Sequence, residues 1–563
     1  MILEYLSRCS KISEAISDDV IRISSNNKNF NIYQIASDYL KNNRMIFVVL
    51  PTLFDAQNYY DALSNILDQD NVLFYPVDDM ALASQFISSN EFKYERINTI
   101  LRLLEEKPCV VVTTINGVIY KNLCSNIWKE SVLELIPNKE YDTSELRKKL
   151  VKLGYVCKNK VTSTGEFSFR GSIIDLYPLN YDNPIRLDFF DNELESIKVF
   201  DSVTQRTISK ISKVNIYPLV ELLYSDEKGL EVINYLKEEC KKANVNEIDL
   251  LYKDINKIEL RIELGTIHKY IELFGSNCSI VDFKEDKILY VINEEKINAL
   301  FDKVFDDINN HYQTSGYSLL TNYIPFIKDK DLFEKYNVKY IDTFVNYEGS
   351  YVVNIEEIAN YHGNYNLLVK ECAKRWNNNY VILVISSNDK LKRLKEYLLE
   401  ERIQYNTIKD TSMLLYNCFN IVTNEYALTL SIPESGVFIL SENTIFSGTI
   451  ERPKIRYKST FYEAKQIAKY DDLSPGDYVV HAAHGIGVYD SIKMMELSGV
   501  KRDYIKINYA GSDSLYIPIE QLNLIKKYNG SDGRKPELTK LGSGSWNKAK
   551  QKVKEKVLEL SRK

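Results

Sequence analysis

Three runs of six to eight residues, MIFVVLPT (45–52), NVLFYP (71–76) and PCVVVTT (108–114), are apolar at consecutive rather than alternate positions. Successive side chains of a strand point to opposite faces, so strands of this kind must be buried on both. The segments around them, NIYQIASDYLKNN (31–43), LFDAQNYYDALSNIL (53–67) and ERINTILRLLEEK (95–107), carry helical spacing, and DVIRISS (19–25) adds another strand at the start. Buried strands alternating with helices predict a parallel sheet covered on both faces over residues 1–132.

That pattern then breaks. Residues 133–219 read as short alternating strands with turn signals, an antiparallel character, inserted into the first α/β domain. Long helical stretches around KILYVIN (287–293) make 220–345 the second part of that domain. A second, smaller α/β domain follows at 346–450: YVVNIEEI, a helix from Asn366 to Arg375, YVILVISS, KLKRLKEYLLEER, CFNIVTN and GVFILSE. The basic, aperiodic stretch 451–470 reads as a linker, and 471–530 turns β-rich again. In 531–563, Trp546, Ala549, Val553, Val557 and Leu560 form one apolar stripe of a basic helix. The expected class is multidomain α/β plus β, which suits 563 residues at roughly 100–200 per domain.

A net charge of -6 argues against a chain coated with basic residues for nucleic acid, although 531–563 is locally cationic. Eight scattered cysteines with no CxxC pair predict neither a disulfide framework nor a zinc ribbon, and fit a reducing cytoplasm. No signal peptide and no spanning run is evident, so a cytoplasmic monomer without membrane contact is expected. The strand–loop–helix at 19–40 has the layout of a phosphate-binding loop, but its loop, Ser24 to Phe30, lacks glycine, and no glycine of the chain precedes a lysine. Asp78–Asp79 reads as a turn or helix cap rather than a magnesium site. His481 and His484 lack a third ligand and read as part of a β-turn, with Gly485 and Gly487 serving turns or a bulge. No cofactor, metal or catalytic residue is expected.

Two stretches point instead to docking. In RLDFFDNELESIKVFD (186–201), strand alternation sends Leu187 and Phe189 inward and leaves Arg186, Asp188 and Phe190 on the other face. In GEFSFRG, Phe167 and Phe169 face the core, while Arg170 shares a face with Glu166 and Ser168. Arginines beside an outward aromatic fit a protein–protein hot spot. The alternative places Phe190 beneath a neighbouring strand or domain, with Arg186 paired to Asp188 or Glu195. KRDYIKINYA alternates too, with Ile505, Ile507 and Tyr509 on one face and Tyr504, Lys506 and Asn508 on the other. A hairpin joins it to IKMMEL, and the edge of a small barrel can accept a strand from another protein.

The run GEFSFRGSIIDLYPLNYDNPIRLDFFDNELESIKVFDSVTQRT (165–207) resembles the UvrB-homology module of the Mfd family of bacterial transcription-repair coupling factors. GDYVVHAAHGIGVYDSIKMMELSGVKRDYIKINYAGSDSLYIPIEQLNLIKKYNG (476–530) resembles that family's CarD-like RNA-polymerase-interacting domain, and the tail resembles the segment leading to its motor. The resemblance implies a degenerate RecA-like domain carrying a UvrA-binding insert, then a Tudor/SH3-like barrel. It implies UvrA contact at Arg170, Arg186 and Phe190, and contact with the RNA polymerase β subunit at Lys501, Arg502, Tyr504, Ile505, Lys506 and Ile507. The basic helix would add a weak DNA contact, or pack on a motor. The family continues into two translocase lobes and a C-terminal regulatory domain, which this chain is expected to lack, so ATP binding and translocation are not carried over. Competing readings are a piece of a DNA translocase, or a CarD-like transcription regulator.

Overall fold

A computed structural model describes residues 1–77, 90–446, 476–527 and Leu538, apart from 106, 203, 315, 343–346, 377–379, 482–484, 498–499, 511–513 and 519–524. Asp78–Asp79, His484, the 451–470 linker and the basic C-terminal helix lie outside the described residues. The chain divides into two compact units: Met1–Leu135, Lys148–Gly154 and Asn215–Ile455, and Ile136–Arg147, Tyr155–Val214 and Arg456–Lys563.

In the first unit the continuous apolar runs become strands buried along their length. Met45–Leu50, Val72–Tyr75 and Val110–Thr114 join an all-parallel seven-stranded sheet. Its order is Tyr351–Val352, Arg22–Ser24, Val338–Asp342, Lys287–Ile292, Met45–Leu50, Val110–Thr114, Val72–Tyr75. A second sheet, ordered Tyr405–Ile408, Phe419–Val422, Tyr380–Val384, Val437–Ser441, Leu430–Ile432, is parallel except for its last pair. YVV is therefore not the first strand of the second sheet, because Tyr351 takes a parallel register with Ile23 and closes the first sheet's edge.

The helix Lys28–Asn42 lies between the two cores, giving Ile32, Ile35 and Ala36 to one and Phe30 and Tyr33 to the other. Burial on all sides takes polar residues inside, Asp38 among them. Its carboxylate accepts hydrogen bonds from Arg44 (3.0 and 3.1 Å), Asn42 (2.6 Å) and the Tyr290 hydroxyl (2.6 Å). Removing Arg44 would leave an uncompensated buried charge, at a cost of about 3–5 kcal/mol.

The cysteine expectation needs correcting. Cys124 and Cys278 form a disulfide, and the backbones of Asn122 and Cys278 pair across the same point.

The second unit contains two antiparallel-rich sheets. The first is built from β1 (Val156–Cys157), β2 (Glu166–Arg170), β3 (Ile173–Leu176), β4 (Ile185–Phe190), β5 (Glu193–Phe200) and β6 (Thr207–Ile211), ordered β6-β5-β4-β3-β2-β1. The second comprises β7 (Tyr478–His481), β8 (Gly485–Leu497), β9 (Val500–Asn508), β10 (Ser514–Pro518) and β11 (Ile525–Lys527), ordered β10-β9-β8-β7-β11.

Candidate protein-docking surfaces

On β4 the alternation holds to the last residue. Ile185, Leu187 and Phe189 are buried, Arg186 and Asp188 are half-buried, and Phe190 is 71% exposed. The adjacent phenylalanines therefore do opposite jobs: Phe189 fills the core and Phe190 stands in solvent. The β2–β3 turn needs Gly171, whose φ of +61° would strain any residue with a Cβ.

Arg170 and Arg186 meet at one residue, Asp175 on β3, which sits directly opposite Arg186 in the register and is 1% exposed. Arg186 donates to it twice, Nε to Oδ1 at 2.7 Å and Nη2 to Oδ2 at 2.9 Å, and Arg170 donates to Oδ2 at 2.6 Å. This two-point grip holds the Arg186 guanidinium protonated above its already high value. The plane also lies 4.5 Å over the Phe200 ring. Neither Asp188 nor Glu195 pairs with Arg186 in this way, since Asp188 takes Lys198 (2.6 Å) and the Ser196 hydroxyl (2.7 Å).

Asp175 was not singled out from the sequence. The available signal was the alternation in SIIDL, with Ile174 and Leu176 buried and Asp175 on the arginine face. The shared face of Glu166 and Ser168 differs from expectation, because both are buried. The Glu166 carboxylate accepts from the Thr162 and Ser163 amides at 2.9 and 3.0 Å, so the preceding loop covers that end.

In the second sheet the residues expected to touch a partner separate by direction. Ile505 and Ile507 are fully buried and Tyr509 is 3% exposed, so the two isoleucine side chains hold the sheet together and present only backbone to any partner. Lys506 points the other way and pairs with Asp490 at 3.3 Å. The Ser491 hydroxyl and Lys506 hold the Asp490 carboxyl below its usual range. Lys501, Arg502 and Tyr504 lie on β9 by register, opposite Glu496, Met495 and Lys493.

The expected edge is also relocated. From Tyr504 to Asn508, β9 is paired on both sides, to β8 and to β10. Among the described residues, only Val500–Asp503 of β9 have β8 as their single partner, and β8 beyond Tyr489 has β9 alone. Among the described residues, the backbone with a single strand partner is thus at the far end of the β8–β9 hairpin. Gly485 and Gly487 are strand residues, and the register shift comes later, between Tyr489 and Ser491. A Cβ on Gly487 would lie 2.5 Å from Ile507 Cγ2, so close strand contact, not a turn, requires glycine there.

Two helix N-termini, positions at which backbone amides can hold phosphate, are occupied by the protein's own side chains. Asn27 caps the Lys28–Asn42 helix by accepting from the Phe30 amide at 3.0 Å. In the second sheet, Glu442 accepts from the Ser386 and Ser387 amides at 2.8 and 2.9 Å and from Lys390 at 2.8 Å. Burial pushes this carboxyl up, but Lys390 and the two amides together hold it below its usual value.

Comparison with known proteins bears on both surfaces. Residues 133–222 match the UvrB interaction domain, and 473–529 match the CarD-like/TRCF RID domain. The transcription-repair-coupling factor of Bacillus subtilis (strain 168) is 28% identical over 541 residues, covering 92% of this chain and 46% of that protein. The Staphylococcus aureus (strain MRSA252) factor is 27% identical over 559 residues, covering 94% and 47%. Both of these relatives are transcription-repair-coupling factors, and the second domain model is named for the same group of proteins. The chain spans about half the length of the curated relatives it matches. Arg170, Arg186 and Phe190 fall within the first matched domain, and Lys501 to Ile507 within the second.

Proposed function

We propose that this chain is the docking portion of a transcription-repair-coupling factor, joining RNA polymerase stalled at a DNA lesion to UvrA of nucleotide excision repair. The observation that carries the reading is the presence, in one chain, of a UvrB interaction domain and a polymerase-interacting domain, the first with Phe190 in solvent beside two clamped arginines. UvrA docks on Arg170, Arg186 and Phe190. The β subunit of polymerase adds its backbone to the open end of the β8–β9 hairpin at Lys501 and Arg502, where β9 has a single partner. The parallel sheet over residues 1–132 and 220–345 is a degenerate RecA-like scaffold, 133–219 is the UvrA module, 346–450 is a second α/β domain, and 471–530 is a Tudor-like barrel. The basic helix at 531–563 relays to a motor and touches DNA weakly through its lysines. The chain itself turns over no ATP and works by recruitment.

Size-exclusion co-elution with UvrA, wild type against Phe190→Ala, tests the reading. Co-elution that disappears in a folded variant supports UvrA recruitment through this face. Unchanged co-elution removes Phe190 from the interface, and no co-elution in either leaves polymerase binding alone.

A further inference from the structure

Resting on the UvrA reading above, we infer that Asp175 and Gln205 are positioning residues that preset the two arginines for UvrA. Asp175 is almost fully buried, yet its carboxylate holds two partly exposed guanidiniums. Because Arg170 and Arg186 bond the same oxygen, they are brought side by side where their charges would otherwise repel. Gln205 supplies a second hold on Arg186, its Oε1 accepting from Nη2 at 3.2 Å while its amide nitrogen donates to the Ser202 carbonyl at 2.8 Å.

The DSVTQRT stretch (201–207) explains how Gln205 reaches this place. The Asp201 carboxylate accepts from the Thr204 amide (2.6 Å) and hydroxyl (2.8 Å), and the Asp201 carbonyl accepts from the Gln205 amide at 2.8 Å. The loop turns Gln205 to a φ of +61°, an uncommon conformation for a side-chain residue. A strained residue whose side chain lands on a docking arginine gives this local motif a purpose that folding alone does not require.

The physical advantage is preorganisation. A free arginine carries roughly 2 kcal/mol of rotamer entropy, part of which is lost on docking unless the side chain is already held. Arg186 commits Nε and Nη2 inward and Arg170 commits one Nη2, leaving the remaining guanidinium donors for a partner. The clamp has a net charge of +1, and Phe190 lies four residues along the same strand face, about 13 Å away at 3.3 Å per residue. The complementary patch on UvrA is therefore a carboxylate and, about that distance away, an apolar socket.

The test is UvrA affinity of the full chain carrying Asp175→Asn, Gln205→Ala or Gln205→Glu, with Phe190→Ala and Arg186→Ala as controls. Arginine Nε–H NMR signals and thermal melting are recorded for each. The expected result is about tenfold weaker binding for Asp175→Asn and about threefold for Gln205→Ala, with a larger loss for Gln205→Glu, which cancels the clamp's net positive charge and cannot donate to the Ser202 carbonyl. The Arg186 Nε–H signal, slowly exchanging in the wild type, should broaden in Asp175→Asn. Should Asp175→Asn fail to fold, Gln205→Ala and Gln205→Glu decide the matter. Controls that lose binding while both Gln205→Ala and a folded Asp175→Asn retain or gain affinity would overturn the positioning role and leave the UvrA reading intact. Controls that change nothing would overturn both.

Discussion

The two docking modules proposed for this chain use opposite parts of the polypeptide, one its side chains and the other its backbone. On β2–β5 the proposed recognition chemistry is in side chains: Phe190 is in solvent and Arg170 and Arg186 are clamped by a buried carboxylate. On β8–β9 the apolar side chains described for the strand turn inward, and the feature proposed for a partner is the hairpin's far end, where the described backbone has a single strand partner. A side-chain surface is sensitive to single truncations that leave the fold alone. A backbone surface tolerates truncation of outward side chains and fails when the strand loses its support.

The largest effect should come from that support. Ile507→Ala removes a fully buried side chain and should destabilise the β7–β11 sheet by about 2–5 kcal/mol, read from denaturant melts, with UvrA affinity unchanged. Next is Phe190→Ala, which should cost about 2 kcal/mol or more of UvrA affinity by calorimetry with no measurable loss of stability, since the ring is already in water. A stability loss equal to the affinity loss would erase the distinction between the modules. Smaller still, Lys501→Ala and Arg502→Ala should each change polymerase affinity by less than about 1 kcal/mol, because rim charges act mainly on association rate. A loss as large as that of Phe190→Ala would make this a side-chain surface as well.

The smallest effect concerns pH. Asp490 has a folded pKa below its unfolded value, so its contribution is complete above the ordinary aspartate pKa of about 3.9 and disappears as the pH falls through the folded value. Asp490→Asn should therefore lower the sheet's stability slightly at neutral pH and converge with wild type at low pH, which flattens the acid limb of the stability curve. A difference from wild type that is as large in acid as at neutral pH would rule out this ion pair as the source.

Much of this contrast was legible in the residues. Consecutive apolar positions declared the buried parallel strands, and simple alternation placed Phe189 inside and Phe190 outside, since both signals depend only on neighbours in sequence. What escaped depends on which strand lies beside which. Asp175 becomes the partner of Arg186 only through the β3–β4 register. Of the edge expected at Lys501–Ile507, β10 covers Tyr504 to Ile507, and among the described residues Lys501–Asp503 keep a single partner strand. Val338–Asp342 went unread as a strand because Lys339 interrupts it. That lysine is nevertheless buried, donating to the Ser17 carbonyl, and its pKa is lowered by burial.

The most direct test of the account is simultaneous titration of one chain with UvrA and RNA polymerase, comparing wild type with Phe190→Ala. The account predicts a ternary assembly with the wild type and loss of UvrA alone with the variant, polymerase binding being retained. Undiminished UvrA binding by folded Phe190→Ala, or mutually exclusive binding of the two partners, would contradict it.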